Sequence, residues 1–430
     1  MNRTEVKSTI TCDMEGRIQT FNKGAEQIFG YSAEEVIGHK RVSLFSPGLV
    51  VLEHVPTWLK TASQKGKFEG QTVFIRKDST TFTAEIRITP TYRDGQQVGY
   101  CGVTTPIRLP QKANAIPVVS LWTKLFAWMV IMRLPFLTAS IIPVLIGATW
   151  AVVTRLVSPF PWLLFFLTLL GAAALHVAAN TLNDYFDWTS GTDQVNNDYF
   201  LPFSGGSRSM ELGLISEKGM LKVGLVSLGM AFAFGLTVMF LSKQPLLILF
   251  GLAGTFSAYF YTAPPLRLAA RKGLGELFIG LNFGPLMTAG TVLALTGRVT
   301  WEDFAIGLPI GLLTTAIVWI NQFPDEIADR ISGKHNLVVV LGKERARWGY
   351  VILLVAAFGI AMTGVLTGLF PTGTLAMLGA LPLAISASRI LFQHYEDREL
   401  VAANAKTINL QLAAGLLTTA GILISPLIWK

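Results

Sequence analysis

Two short stretches of this 430-residue chain gather carboxylates and carboxamides at helical spacing inside otherwise apolar sequence. In HVAANTLNDYFDWTSGTDQ, Asn180, Asp184 and Asp187 recur at intervals of four and three, so they share one helix face; Asn183 lies on the adjoining edge and Asp193 just beyond. In TAIVWINQFPDEIADRISGKHNL, Asn321, Asp325 and Asp329 are four apart, and Lys334 follows in a loop. A carboxylate in a spanning helix costs roughly 2.5–3.5 kcal/mol on insertion scales, so several on one face need a compensating cation or water. Oxygen donors of this kind suit Mg²⁺, which combines carboxylates with substrate phosphate oxygens, and the lack of histidine or cysteine among these ligands argues against zinc or copper. For any one aspartate, a helix cap or an ion pair in a solvated loop explains it as well. Two separate helices ending in the same Asn–Asp–Asp face are not explained that way.

Cations accompany these faces. The loop PFSGGSR (Pro202–Arg208) offers backbone N–H groups and a guanidinium, and Tyr261–Arg267 and Arg271–Gly273 offer more. Magnesium-bound diphosphate keeps negative charge that Arg or Lys can neutralise. Arg208 and Lys272 are the first candidates and Lys334 the next, although each taken singly also reads as an ordinary charge of an inner membrane loop.

The elements that must position these groups are mostly membrane helices. Only 14% of residues are charged, 51% are hydrophobic, and the mean hydropathy is +0.49. A soluble chain would carry about a quarter charged residues. From residue 133 onward nine apolar segments approach the ~20 residues that cross a bilayer; they centre on Ile142, Leu170, Ala231, Phe250, Pro285, Leu312, Val355, Pro382 and Thr419. The net charge of +8 forms no basic face or run, so no nucleic acid is expected as a partner. With the amino terminus cytoplasmic, the outer loops and tail hold only Arg155, Lys243, Arg298 and Lys430, the carboxyl terminus lies outside, and both acidic faces open on the cytoplasmic side. Residues 1–107 differ: Ser8–Cys12, Arg17–Phe21, Gly70–Arg76, Thr80–Pro90 and Val98–Thr105 read as strands, with helices over Asn22–Phe29 and Ser32–Val36. Ser32 and Glu35 form a capping box. Residues 108–132 join the two parts, through a proline-containing linker (Leu109–Pro117) and an amphipathic stretch, Leu121–Met132, that is too short to span and suits the membrane interface. Cys12 and Cys101 allow neither a disulfide framework nor a CxxC site.

FNKGAEQIFGYSAEEVIGHK (Phe21–Lys40), with the later hairpin pattern, resembles PAS domains. The cysteine motif of flavin photosensors is missing, and His39 and His54 read as surface histidines sooner than as haem ligands, so the ligand of this domain is unknown. PAS domains also mediate dimerisation, which makes a homodimer one of the partners the resemblance implies. NDYFDWTSGTD (Asn183–Asp193) and DEIADRISGK (Asp325–Lys334) resemble the two aspartate-rich motifs of the UbiA superfamily of intramembrane prenyltransferases, and RLPFLTASIIPVLIG and YTAPPLRLAARKGLGELFIGLNFGPL extend the likeness over about residues 130–430. Many members read N-D-x-x-D-x-x-x-D at the first motif; here Gly191 takes the third aspartate place and Asp193 follows, a form more similar to the menaquinone branch that prenylates 1,4-dihydroxy-2-naphthoate.

The resemblance implies an all-α polytopic bundle of about nine transmembrane helices in the inner (plasma) membrane, preceded by a small soluble α+β PAS domain. It implies a polyprenyl diphosphate and an aromatic acceptor as substrates and two Mg²⁺ ions, one on Asp184 and Asp187 and one on Asp325 and Asp329. Asn180, Asn183, Asp193, Arg208, Tyr261, Lys272, Asn321 and Lys334 would contact substrate. Other acceptors of the superfamily stay open: 4-hydroxybenzoate, homogentisate, a chlorophyllide or a glycerol-phosphate lipid. So does a non-catalytic membrane sensor that reads a signal through the PAS domain. A transporter fits less well, since no inverted repeat with broken helices is visible.

Overall fold

Period-two alternation in the first hundred residues builds a sheet. The computed structural model describes residues 6–46, 48–107, 119–155, 157–195 and 206–428, which leaves the linker Leu109–Pro117 and Pro202–Gly205 outside the described residues. Two compact units emerge, one running to Ile131 and including Arg208–Ser216, the other taking Met132–Ser207 and resuming at Glu217.

In the first unit, β1 (Ser8–Asp13), β2 (Ile18–Phe21), β3 (Phe68–Ile75), β4 (Thr81–Arg93) and β5 (Gln96–Pro106) pair antiparallel in the order β2-β1-β5-β4-β3. Along β1, Ser8, Ile10 and Cys12 turn inward while their neighbours stay partly exposed. Helix α1 (Lys23–Phe29) starts where the Asn22 carboxamide accepts from Ala25 N at 2.8 Å and ends at Gly30, whose φ of +79° suits glycine. Helix α2 (Ala33–Val36) has the expected capping box, with Ser32 N donating to Glu35 at 2.9 Å. No clear period marks Gly48–Lys65 in the sequence, and it is an 18-residue helix, α3. Pro56 and several β-branched residues obscure its period; burial of Val50, Trp58 and Ala62 against Cys12, Ile88 and Tyr100 stabilises it. A cavity of about 80 Å³ lies inside this unit, lined by groups such as Cys12, Phe29, Trp58 and Tyr100, well below the ~300–1,000 Å³ usual for small-molecule sites. Burial pushes the Cys12 thiol up to about 11, so it stays protonated and unreactive at neutral pH. His39 is exposed, and His54 stands beside Trp58 on α3. Helix α4 (Leu121–Ile131) exposes Trp122, Leu125, Phe126 and Trp128, and the Ser120 N–H before it donates to Glu53 of α3 at 2.9 Å.

The second unit is helical: α5 (Thr138–Arg155), α6 (Trp162–Thr189), α7 (Thr192–Val195), α8 (Glu217–Ser242), α9 (Leu247–Phe260), α10 (Leu274–Leu281), α11 (Met287–Thr296), α12 (Trp301–Ala305), α13 (Leu308–Ile331), α14 (Leu337–Leu341), α15 (Lys343–Leu366), α16 (Leu381–His394) and α17 (Val401–Ile428). Among the described residues, eight helical stretches are long and apolar enough to cross a membrane. The ninth expected segment, around Phe250, is the 14-residue α9. Pro245 before it and Pro264 and Pro265 after it bracket the helix, because proline lacks an N–H donor and restricts the residue ahead of it. Helix α13 is the most enclosed, with Leu313, Ile320 and Phe323 fully buried, whereas α8 exposes Leu225, Val226, Met230 and Phe240, as a lipid-facing helix does. Between α10 and α11 the chain widens into a π-helical turn, Asn282–Leu286, around Pro285. A Cβ on Gly284 would meet Gly307 O at 2.5 Å and Gly311 Cα at 2.6 Å, so only glycine allows this backbone approach.

Asp303 of α12 is fully buried and accepts from Trp150 Nε1 at 2.6 Å and Thr300 N at 2.7 Å, with Arg155 at 3.4 Å. Asp303→Ala leaves a buried indole N–H unpaired, at a cost of about 1–3 kcal/mol. A thermal-shift measurement in detergent should read this as a drop of the apparent Tm by several degrees; an unchanged Tm would remove this network from the forces holding the bundle.

Candidate active site

Both acidic faces sit at helix carboxyl ends, and a glycine closes each helix. Helix α6 stops at Ser190, and Gly191 takes φ +81°. That left-handed backbone, open to glycine at little cost, explains why an aspartate is not at position 191. The chain then forms α7 with Asp193 buried, and a Cβ on Gly206 would lie 3.1 Å from Asp184 and Arg133 and 3.5 Å from Asp193. Helix α13 ends the same way: Gly333 takes φ +74° and Lys334 N donates back to Asp329 O at 2.8 Å.

This second turn sends the Lys334 side chain across to the first face. Its Nζ lies 2.7 Å from Asp187 and 4.0 Å from Asp329, joining the two motifs through one ammonium. Asp329 also accepts from Asn336 Nδ2 at 2.7 Å, and Asn336 caps α14 by accepting from Val339 N. Asp184 is 2% exposed and is held by Arg133 at 2.5 Å and by Ser207 N at 3.2 Å. Arg133 has φ +50°, a strained value for a residue with a side chain, and its ion pair is part of what holds that turn. Asn321 accepts from Asn404 of α17 at 2.7 Å.

A cavity of about 490 Å³ runs from this acidic end into the bundle. Asp187, Asp325, Asp329 and Lys334 line its polar end together with Asn180, Asn183, Asn321 and Tyr261, and Phe136, Phe232, Phe250 and Phe278 belong to its apolar lining. Burial raises the Tyr261 hydroxyl pKa first, and the carboxylates of Glu276, Asp187 and Asp329 raise it further, so the phenol keeps its proton and can donate. For Lys334, burial works to lower the pKa, but Asp187 and Asp329 outweigh it and hold the ammonium above its ordinary range.

Not every expected residue lines this cavity. Lys272 is exposed and off the lining: its N–H bonds to His335 O at 2.8 Å, and φ +25° turns the chain there. Arg208 belongs to the first unit, buried, with its guanidinium 3.0 Å from Glu211. Asp184 and Asp193 are buried beside the lining instead of forming it. Sequence reasoning missed Arg133, Glu276 and Asn336. Glu276 is buried and accepts from Leu337 N at 2.9 Å, fixing the loop behind Lys334. The signals were present: an arginine opening the first span, a carboxylate in GLGE and an asparagine two residues after Lys334.

Lys334→Met would leave Asp187 and Asp329 without their shared countercharge, a loss on the order of 3–5 kcal/mol for a buried pair. Because the pKa of Lys334 lies above the ordinary 10.5, its contribution is fully present below that value and vanishes only as pH rises through the folded one. Thermal denaturation from pH 7 to about 10 should therefore show the variant below the parent throughout. A gap that closes within that range would mean the ammonium is not held by these carboxylates.

Comparison with known proteins places both parts of the chain in known families. Residues 140–413 match the UbiA prenyltransferase family and residues 6–105 match the PAS domain. The chain is 29% identical over 294 residues to a 1,4-dihydroxy-2-naphthoate octaprenyltransferase of Bacillus subtilis, covering 67% of this chain and 89% of the relative. It is 29% identical over 298 residues to a 2-carboxy-1,4-naphthoquinone phytyltransferase of Synechocystis, covering 68% and 92%. A solved UbiA homolog from Archaeoglobus fulgidus, bound to GPP and Mg²⁺, aligns with a TM-score of 0.47 and 16% identity over 68% of this chain and 99% of that one. The chain therefore belongs to the UbiA prenyltransferase family, as a multi-pass membrane prenyltransferase with an amino-terminal PAS domain.

Proposed function

We propose that this enzyme transfers a prenyl group from a polyprenyl diphosphate to 1,4-dihydroxy-2-naphthoate, in a Mg²⁺-dependent step of menaquinone biosynthesis. The observation that carries the proposal is Lys334, 2.7 Å from Asp187 and 4.0 Å from Asp329, at the polar mouth of an otherwise apolar cavity. Opposed acidic helix ends with a cation between them suit a diphosphate head, and apolar walls suit an isoprenoid tail. The naphthoate acceptor is supported by the names of relatives that match along most of their length.

The donor set fits magnesium. It is made of carboxylate and carboxamide oxygens, and among the described residues no three His, Cys, Asp or Glu side chains form a ready cage. That agrees with an ion held by one or two carboxylates plus substrate phosphates. Asp184 and Asp187 would hold one ion, and Asp325 and Asp329 a second. Bound there, magnesium would neutralise charge building on the departing diphosphate.

The chain's own residues supply the rest. Arg133 and Lys334 give fixed positive charge at the leaving-group end, a part that exposed Lys272 is not placed to take. Tyr261 donates from its protonated hydroxyl, and Asn180, Asn183 and Asn321 orient the head group. When the C–O bond to diphosphate breaks, the allylic cation is kept from water by the phenylalanine-lined walls. A ring carbon of the acceptor supplies the electron pair for the new C–C bond, and the ring regains aromaticity by releasing that carbon's proton, or its carboxylate as CO2.

The loop charges support an orientation with the acidic ends and the PAS domain cytoplasmic, the carboxyl terminus outside, and the plasma membrane as the site. Fusion to a PAS domain in one chain supports regulation of prenyl transfer by redox state or oxygen.

Asp184→Asn and Asp325→Asn should each lower Mg²⁺-dependent turnover by about a hundredfold or more. Mass spectrometry of the product from dihydroxynaphthoate and a prenyl diphosphate should show the prenylated naphthalene. Product only with 4-hydroxybenzoate, homogentisate, a chlorophyllide or a glycerol-phosphate lipid would replace the acceptor, and no turnover with any of them would favour the non-catalytic sensor. Removing residues 1–107 should alter the response of activity to redox conditions; unchanged activity under all of them would end the regulatory reading.

A further inference from the structure

One polar group of the cavity plays no part at the diphosphate end. His176 lies on α6 on the same face as Asn180, Asp184 and Asp187. At ~1.5 Å per residue it stands about 12 Å along the helix axis from Asp184, further into the bundle. It is 4% exposed and lines the cavity. Ser140, itself fully buried, holds Nδ1 at 2.9 Å, and Phe283 of the π-helical turn meets the imidazole edge-on with centroids 5.9 Å apart. The Nε2 atom, also buried, has no hydrogen-bond partner among the described residues.

A buried ring nitrogen whose other nitrogen is already anchored calls for a specific partner, because buried polar atoms are nearly always paired. Neither end of the donor substrate supplies one. The isoprenoid tail has no polar atom, and the diphosphate belongs a helix turn or more away, among Asp187, Asp325, Asp329 and Lys334. An aromatic acceptor does supply one, since the hydroxyl that makes its ring electron-rich can donate to or accept from Nε2. We propose that His176 Nε2 binds a ring hydroxyl of the aromatic acceptor, with Ser140 as the positioning residue that fixes the imidazole. The inference rests on the acceptor class proposed above and adds the contact that selects it. If the Ser140 hydroxyl donates to Nδ1, Nε2 carries the proton and donates to the acceptor oxygen; if Nδ1 donates to Ser140, Nε2 accepts the acceptor's proton. Either tautomer holds the same edge of the ring. With the hydroxyl there, the ring fills the space between His176 and the diphosphate, and a ring carbon faces the allylic end. An acceptor without that hydroxyl would leave the imidazole unpaired, which makes this contact a specificity element.

The test uses the full-length enzyme in liposomes, with Mg²⁺, geranyl diphosphate and either 1,4-dihydroxy-2-naphthoate or its two monomethyl ethers. His176→Leu should raise KM for the acceptor about tenfold or more and leave KM for geranyl diphosphate unchanged. His176→Gln, which restores a polar head, should recover most of that loss, and Ser140→Ala should fall between. In the parent enzyme one of the two ethers should lose a similar factor, because its methyl group removes the hydroxyl proton and crowds the buried Nε2 whichever tautomer is present, and in His176→Leu that ether should cost nothing further. The ether comparison needs only the parent protein, so it decides even if His176→Leu does not fold. Both KM values rising together, full activity on both ethers, or ether and variant losses that multiply independently would each overturn the contact. A parent enzyme that prenylates no aromatic acceptor would overturn the acceptor class itself, and a parent that does so with an unchanged His176→Leu profile would overturn only the contact.

Discussion

Negative charge enclosed at the ends of membrane helices has to be balanced within the protein, and here the balance is struck by one ammonium shared between two helices. Asp187 ends α6, Asp329 ends α13, and Lys334 reaches both from a loop that begins as soon as α13 stops. Left alone, each carboxylate would carry the insertion cost of a charge without a partner. Joined through Lys334, they draw together two helix ends separated by more than a hundred residues of chain, and the polar mouth of the cavity follows from that. Arg133 does the same for Asp184 at the neighbouring edge. These cations that compensate the carboxylates are also the ones a diphosphate would need, so structural and chemical demands fall on the same side chains.

Backbone conformation makes the pairing available. Gly191 and Gly333 each take a left-handed φ immediately after a helix that carries the acidic face. The first turn brings Asp193 back toward Asp184, and the second aims Lys334 across the mouth. Further in, the wall changes character: the π-helical turn around Pro285 brings Phe283 against His176, where polar groups become sparse. The cavity thus passes from charged, through isolated neutral polar groups, to hydrocarbon. That order matches a substrate pair with a charged head, an aromatic partner and an apolar tail.

Much of this was legible in the sequence because the relevant signals are local. Alternation placed the five strands, the Ser32–Glu35 box placed a helix start, and three- and four-residue spacing placed each Asn–Asp–Asp set on one face. Where the local signal was mixed, legibility failed. Helix α3 contains Pro56, and burial of Trp58 and Ala62 stabilises it all the same. The segment around Phe250 is apolar enough to span, but prolines on either side shorten it to α9. Among cations, local sequence had no means of ranking Lys272, Lys334 and Arg133. Lys272 sits in a basic stretch, yet it is exposed, while Arg133 is far from both motifs in the chain and touches Asp184.

By itself the sequence determined the membrane character, the PAS-like alternation and the identity of the oxygen donors, because hydropathy and period are properties of consecutive residues. Tertiary structure decided which donors share a cavity, which cation answers each carboxylate, and that His176 turns an unpaired nitrogen into the same chamber as the aspartates. Those pairings depend on distances between helices far apart in the chain, and such distances are set by packing, by glycine-permitted turns and by the need to neutralise buried charge.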